Sequence, residues 1–238
     1  VDPSLLLRPN PFSGDDGSLE PAMAEALALE DPGKRVEAIV AALHKGRVFA
    51  AVRPHAKTDE DQPGEGTAEA AAQQASDDVV PAPGGRQAVP VFTSMRALAA
   101  FAADARPLPV KAKDMAALTL TKTGILALDP RVGSASAECY IGRSAVAAIA
   151  SGEEWTPPWH DPAVLERVKG AIAEERAAYG VRIRSTRKGV VQILVNVYSS
   201  SMRGEVARAV QTLVALIAHD PYLSARFDMV EIVPVRVV

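Results

Sequence analysis

The stretch from Val89 to Pro130 alternates strand-like and helix-like segments with almost no residues between them. Val89-Pro90-Val91-Phe92 reads as a strand. Thr93-Ser94 stands where a helix cap belongs, and Leu98, Phe101 and Ala102 form the helical face behind it. Pro107-Leu108-Pro109-Val110 is a second strand. Its two prolines place it at an edge or at a strand start, because proline cannot donate to a ladder. Met115 and Leu118 mark another helix, which Gly124 stops. Ile125 to Leu128 is apolar throughout, as a strand buried on both faces is, and Asp129-Pro130 turns the chain. Segments this short bury their apolar sides by stacking helices on a sheet.

The flanks extend this pattern. Residues 1–17 carry three prolines, two glycines and no periodicity, so a flexible or surface-draped N-terminal tail is expected. Ser18 is the expected cap of a first helix through Leu19, Met23, Ala26 and Leu27. A second helix puts Val36, Ile39, Val40 and Leu43 on one stripe, and Val48–Val52 follows as a strand. From 55 to 87 acidic residues, Ala, Gln, Gly and Pro prevail, which predicts a mobile acidic insertion between two strands. Ala137–Ile141 and a small-residue helix with Ala145, Val146 and Ile149 complete the first unit.

Residues 156–160, with the nearby Trp155, read as a Pro/Trp linker. Asp161-Pro162 starts a helix expected to run to Tyr179, where Gly180 breaks it. A hairpin follows. In its second strand Val191, Ile193, Val195 and Val197 share the core face, opposite Gln192, Asn196 and Tyr198. A long helix with Val206, Val210, Leu213, Val214 and Ile217 on its stripe and a last strand near Met229–Val237 close the chain. The fold class is therefore α+β: two small mixed-sheet domains, 18–155 and 161–238, with helices packed on the sheets.

Leu43-His44-Lys45-Gly46-Arg47-Val48-Phe49, then Pro90-Val91-Phe92-Thr93-Ser94 with Leu98 and Phe101, then Gly124-Ile125-Leu126-Ala127-Leu128-Asp129-Pro130, resemble the N-terminal domain of the SseB (enhanced serine sensitivity protein B) family. Residues 161–238 resemble the C-terminal domain found in the same family. The resemblance implies an α+β fold and carries no catalytic residues. The family often has Asn before the proline; Asp129 keeps a short side chain able to bond its own backbone there.

Chemistry-bearing patterns are few. Cys139 needs a base to act as a nucleophile, and none of His44, His55, His160 and His219 forms a motif with it, so a buried structural thiol is expected. No His or Cys spacing suggests a metal, and no cofactor is expected. Gly84-Gly85 lacks the lysine and helix of a phosphate loop. Ser199, Ser200, Ser201 and Arg203, before a helix, form a candidate anion site. Arg182, Arg184, Arg187 and Lys188 form a candidate basic interaction patch on the hairpin, with no aromatic residue interleaved as a stacking platform requires. The net charge of -3 calls for no obligatory polyanionic partner. One cysteine, no membrane-length apolar run and no signal-peptide pattern point to the cytoplasm, and the Ala/Val/Arg-rich composition to a bacterium. The expected role is non-catalytic regulation or protein interaction, through an unknown protein partner or self-association. A small-molecule or anion binder is the alternative, and nucleic acid the least favoured partner.

Overall fold

The computed structural model describes residues 12–53, 68–131 and 137–236. Its first half is built around strand β3 (Arg86–Val91). The four-stranded sheet has the order β2 (Val80–Ala82), β3, β5 (Leu126–Leu128), β6 (Cys139–Ile141). β3 and β5 are parallel, so a crossover must join them. Helix α4 (Met95–Phe101), strand β4 (Arg106–Lys111) and helix α5 (Ala112–Leu120) supply it. β4 pairs antiparallel with β1 (Arg47–Val52), and reciprocal bonds between Phe49 and Phe92 (2.7 and 3.0 Å) attach this ribbon to β3. Ser94 caps α4 by accepting from the Ala97 amide at 3.1 Å.

One sheet face, with Val89, Val91, Leu126 and Leu128, is covered by α2 (Pro32–Lys45), α5 and α6 (Arg143–Ser151) through Ile39, Leu43, Met115 and Ile149. The other face, with Ala88, Ile125, Ala127 and Tyr140, is covered by Val190 and Met229 from the far half of the chain. The strand at 125–128 is thus buried on both faces, as its composition predicts.

Two expectations are corrected in this half and one, that for the N-terminal tail, is narrowed. Helix α1 (Pro21–Ala28) begins at Pro21 with Glu20 before it, because proline presets the first turn; Ser18 instead gives its carbonyl to Arg47. Residues 12–17 are not a free tail end: Asp15 grips Arg47 through two contacts (2.6 and 3.0 Å), and the Gly17 carbonyl accepts from the Met95 amide. The 55–87 insertion is ordered in its second part. Helix α3 (Ala68–Ala75) buries Ala72 and Ala75, β2 pairs with β3, and Lys122 forms an ion pair with Asp77 beyond α3. An alanine stripe is enough to bury where a sheet edge lies beside it. Residues 1–11 and 55–67 lie outside the described residues.

The second half runs α7 (Pro162–Ile172), β7 (Ala178–Ser185), β8 (Val191–Val197), α8 (Arg203–His219), α9 (Pro221–Ser224), β9 (Val230–Arg236). The sheet order is β7-β8-β9, with β9 parallel to β8. Asp161 caps α7, accepting from the Ala163 and Val164 amides. Val164, Val168, Ile172 and Leu213 cover one sheet face together with Leu223 and Phe227. Helix α7 ends at Ile172, not at Tyr179. Beyond Ile172 its stripe would call on Glu175 and Arg176, which cannot be buried, and Tyr179 and Gly180 fall instead in β7 at a bulge. Val214 is 54% exposed, because α8 turns Ala209 and Leu213 inward instead.

The halves are joined by backbone and by charge. The β7–β8 turn lies along β6, where the Lys188 carbonyl accepts from the Tyr140 amide at 2.9 Å. Arg35, fully buried, donates to the carbonyls of Leu27 (3.2 Å) and Arg187 (2.7 Å) and to the Glu138 carboxylate (2.6 Å). Removing one partner of such a group leaves the other unpaired, so these contacts hold one arrangement of the halves. Asp228 of the second half accepts from the Arg143 amide at 2.6 Å and so caps α6 across the junction. Trp159 packs against both cores and donates to Glu37 at 2.7 Å.

Candidate functional site

The thiol of Cys139 is fully buried, and burial pushes its pKa up to about 12, far from nucleophilic use. Among the histidines, His160 contacts Glu37 at 3.1 Å, His219 contacts the Ala215 carbonyl of its own helix, and His55 lies outside the described residues. Among the described residues no group of His, Cys, Asp and Glu is arranged to hold a metal ion. A small recess between the halves, bordered by Tyr140, Ser144, Trp155 and Asp228, measures about 30 Å³, room for water and not for a metabolite.

The serine turn is committed to structure. Arg236 donates to the carbonyls of Ser199 (2.7 Å) and Ser201 (3.1 Å), and the Ser201 hydroxyl donates to the Ala177 carbonyl at 3.2 Å. Helix α8 starts only at Arg203, and the Glu205 carboxylate accepts from the Met202 amide at 2.9 Å. A carboxylate thus holds the position an incoming anion would need. Ser200 and Arg203 are exposed beside it.

The four hairpin cations do not form one patch. Arg187 donates to the carbonyls of Leu27 (3.2 Å) and Leu29 (3.0 Å), and Lys188 gives its carbonyl to β6, so both belong to the junction. Arg182 and Arg184 lie on the uncovered sheet face. There Arg184 donates to Gln192 (3.1 Å) and Gln192 to Glu231 (2.9 Å), which ties one row of the sheet together. Arg182 is exposed and has no hydrogen-bond or ion-pair partner among the described residues.

This face is the most distinctive exposed surface of the second half. The registry sets Arg182, Leu194 and Val233 in one row and Gly180, Asn196 and Val235 in the next. At its end Tyr179 and Tyr198 pack with ring centroids 4.9 Å apart and planes tilted by 42°, while remaining 46% and 49% exposed. Met202, 68% exposed, follows in the adjoining loop. The Asn196 side-chain oxygen is buried with no hydrogen-bond partner among the described residues. Strand alternation anticipates the placement of Asn196 and Tyr198. Tyr179 escapes it, because a helix through 179 puts that ring elsewhere; an aromatic pair thus stands at the end of the face that carries Arg182 and Arg184.

Asp129 takes φ 46° and binds outside its own turn: its carboxylate accepts from the Thr93 amide (2.8 Å) and hydroxyl (2.7 Å). It locks the Pro-Val-Phe-Thr-Ser element to the Asp-Pro turn instead of bonding its own backbone. Both sequence marks of the resemblance therefore meet at one place in the fold.

No curated protein and no solved structure matches this chain. The family model of the SseB protein N-terminal domain matches residues 19–148, more than half of the 238 residues, and the chain belongs to the SseB family.

Proposed function

We propose that this protein is a non-catalytic interaction protein of the bacterial cytoplasm, and that residues 161–238, the family's C-terminal domain, bind a protein partner through the open face of β7-β8-β9. The observation that carries this reading is the exposed Tyr179–Tyr198 pair. Tyrosine and arginine dominate interface energetics, and a rigid aromatic pair loses little conformational entropy on contact. Val233 and Val235, partly exposed in the neighbouring strand, supply apolar area around it. Unpaired Arg182 favours an acidic group on the partner. Residues 161–238 hold eleven Lys and Arg against eight Asp and Glu, in keeping with that sign. Glu231 on the same face and the engagement of Arg184 disfavour a phosphate backbone as the occupant.

The test is photocrosslinking in the native cell with a benzophenone side chain at position 198, and at Glu153 as a remote control. A protein adduct specific to position 198 is expected, and the purified adduct partner should bind the Tyr179→Ala/Tyr198→Ala protein at least tenfold more weakly. An adduct to another copy of the chain assigns self-association. Crosslinking at 198 no greater than at 153, a nucleic-acid adduct, or undiminished binding by the double variant rejects the reading.

A further inference from the structure

Two lysines of the N-terminal half stand where local electrostatics oppose them. Lys111 and Lys113 open α5, the helix end that carries partial positive charge, with Asp114 the one acid in that turn. Lys111 also faces Arg47 directly across the β1–β4 ladder, a like-charge pairing that destabilises a sheet. Lys45 ends α2 next to His44 and joins them from a third element. All three lysines are exposed, and none has a hydrogen-bond or ion-pair partner among the described residues.

Lys45, Lys111 and Lys113, with His44 and Arg47, line one cleft of about 540 Å³, within the usual size of a small-molecule site. Its carboxylates are already engaged. Asp15 is held by the Arg47 guanidinium, whose hydrogen bond keeps it below the usual carboxylate range, and Glu20 accepts from the Arg47 amide at 3.1 Å. The three ammonium charges are left over. Residues 1–160 carry fifteen Lys and Arg against twenty-one Asp and Glu, yet three lysines without a partner among the described residues share this hollow. Local conflicts of this kind persist where a site needs them.

We infer that the cleft binds a small ligand through a phosphoryl group, held by Lys45, Lys111 and Lys113. Three separate ammonium groups suit an oxyanion with several oxygens and more than one negative charge; a single carboxylate would neutralise one of them. The site is independent of the open face of β7-β8-β9.

The experiment is titration calorimetry and thermal unfolding of the full chain with inorganic phosphate, pyrophosphate and glycerol 3-phosphate, against sodium chloride at matched ionic strength. Saturable one-to-one binding and a rise in Tm beyond the chloride control are expected. Lys111→Gln/Lys113→Gln, both exposed and unpartnered, should keep the fold by circular dichroism and bind at least tenfold more weakly. Arg176→Gln/Arg203→Gln, with the same change in net charge, should bind as the parent does. A response to glycerol 3-phosphate alone assigns an organic phosphate, and equal responses to all three assign the phosphoryl group by itself. A Tm response no larger than that of chloride overturns the inference. So does binding retained by Lys111→Gln/Lys113→Gln, or lost equally in the control variant.

Discussion

Replacing Gly189 by alanine tests how the two halves are joined. Gly189 sits in the β7–β8 turn at φ +80°, and a Cβ built there lies 2.1 Å from the Tyr140 carbonyl oxygen and 3.3 Å from Cys139 Sγ. The left-handed conformation alone costs an alanine about 1–2 kcal/mol. The collision is with backbone, so it is relieved only if the turn retreats from β6. That breaks the Tyr140–Lys188 bond, worth about 1 kcal/mol. It also partly uncovers Val190 and Met229, at about 1–2 kcal/mol for the area exposed. The total for Gly189→Ala is about 3–5 kcal/mol. Gly84 provides the reference: its φ is +73° and nothing lies within 4 Å of its Cβ position, so Gly84→Ala pays the conformational cost only, about 1–2 kcal/mol. Urea unfolding of the two variants should differ by about 2–3 kcal/mol, and Gly189→Ala should also become sensitive to protease near the 156–160 linker. Equal destabilisation by the two substitutions would refute the claim that the turn is docked on β6 by close backbone contact.

Two further outcomes follow from buried titratable groups. Burial raises the Asp129 pKa above its ordinary 3.8, against the opposing hydrogen bonds from Thr93 and with a smaller push from Glu138. A carboxyl raised in the folded state favours folding fully below the unfolded pKa, and that contribution is lost as pH rises through the folded value. Asn mimics the protonated acid and tolerates the positive φ, so Asp129→Asn should match the parent at acid pH and gain on it as pH rises, read from urea melts across the series. A gain that shrinks with rising pH would contradict this. The Cys139 thiol, at about 12, should resist a disulfide reagent at pH 8 in the native protein and react once in 6 M guanidinium; rapid native reaction would show that the residue is neither buried nor protonated.

The strand at 125–128, the Ser94 and Asp161 caps and the alternation in β8 were legible in the sequence because each is set by neighbours along the chain. Features set at long range were not. Arg35 lies in a helix whose stripe predicts a surface arginine, and its burial depends on acceptors 103 and 152 residues away. Arg47 is buried for the same reason, by Asp15 and the Thr93 carbonyl. Arg187 reads as one of four hairpin cations until the turn is placed against Leu27 and Leu29 of the first half. Tyr179 was hidden by a helix pattern that outruns its apolar stripe. Lys45 and the Lys111–Lys113 pair come from separate segments, and only the β1–β4 registry and the neighbouring end of α2 bring them to one hollow.

The coverage of the first sheet by Val190 and Met229 has a consequence for synthesis on the ribosome. The segment matched by the family emerges with one sheet face finished and the other, around Ile125, Ala127 and Tyr140, still bare. That face stays wet until β7, β8 and the approach to β9 have been made, at about 5–20 residues per second. During that interval the nascent chain presents an apolar strand edge at β6 beside an apolar sheet face, the kind of surface that chaperones hold and stray chains pair with. The segment that the family model matches is therefore not the unit that closes in folding: completion of the first half's core waits for residues of the second half.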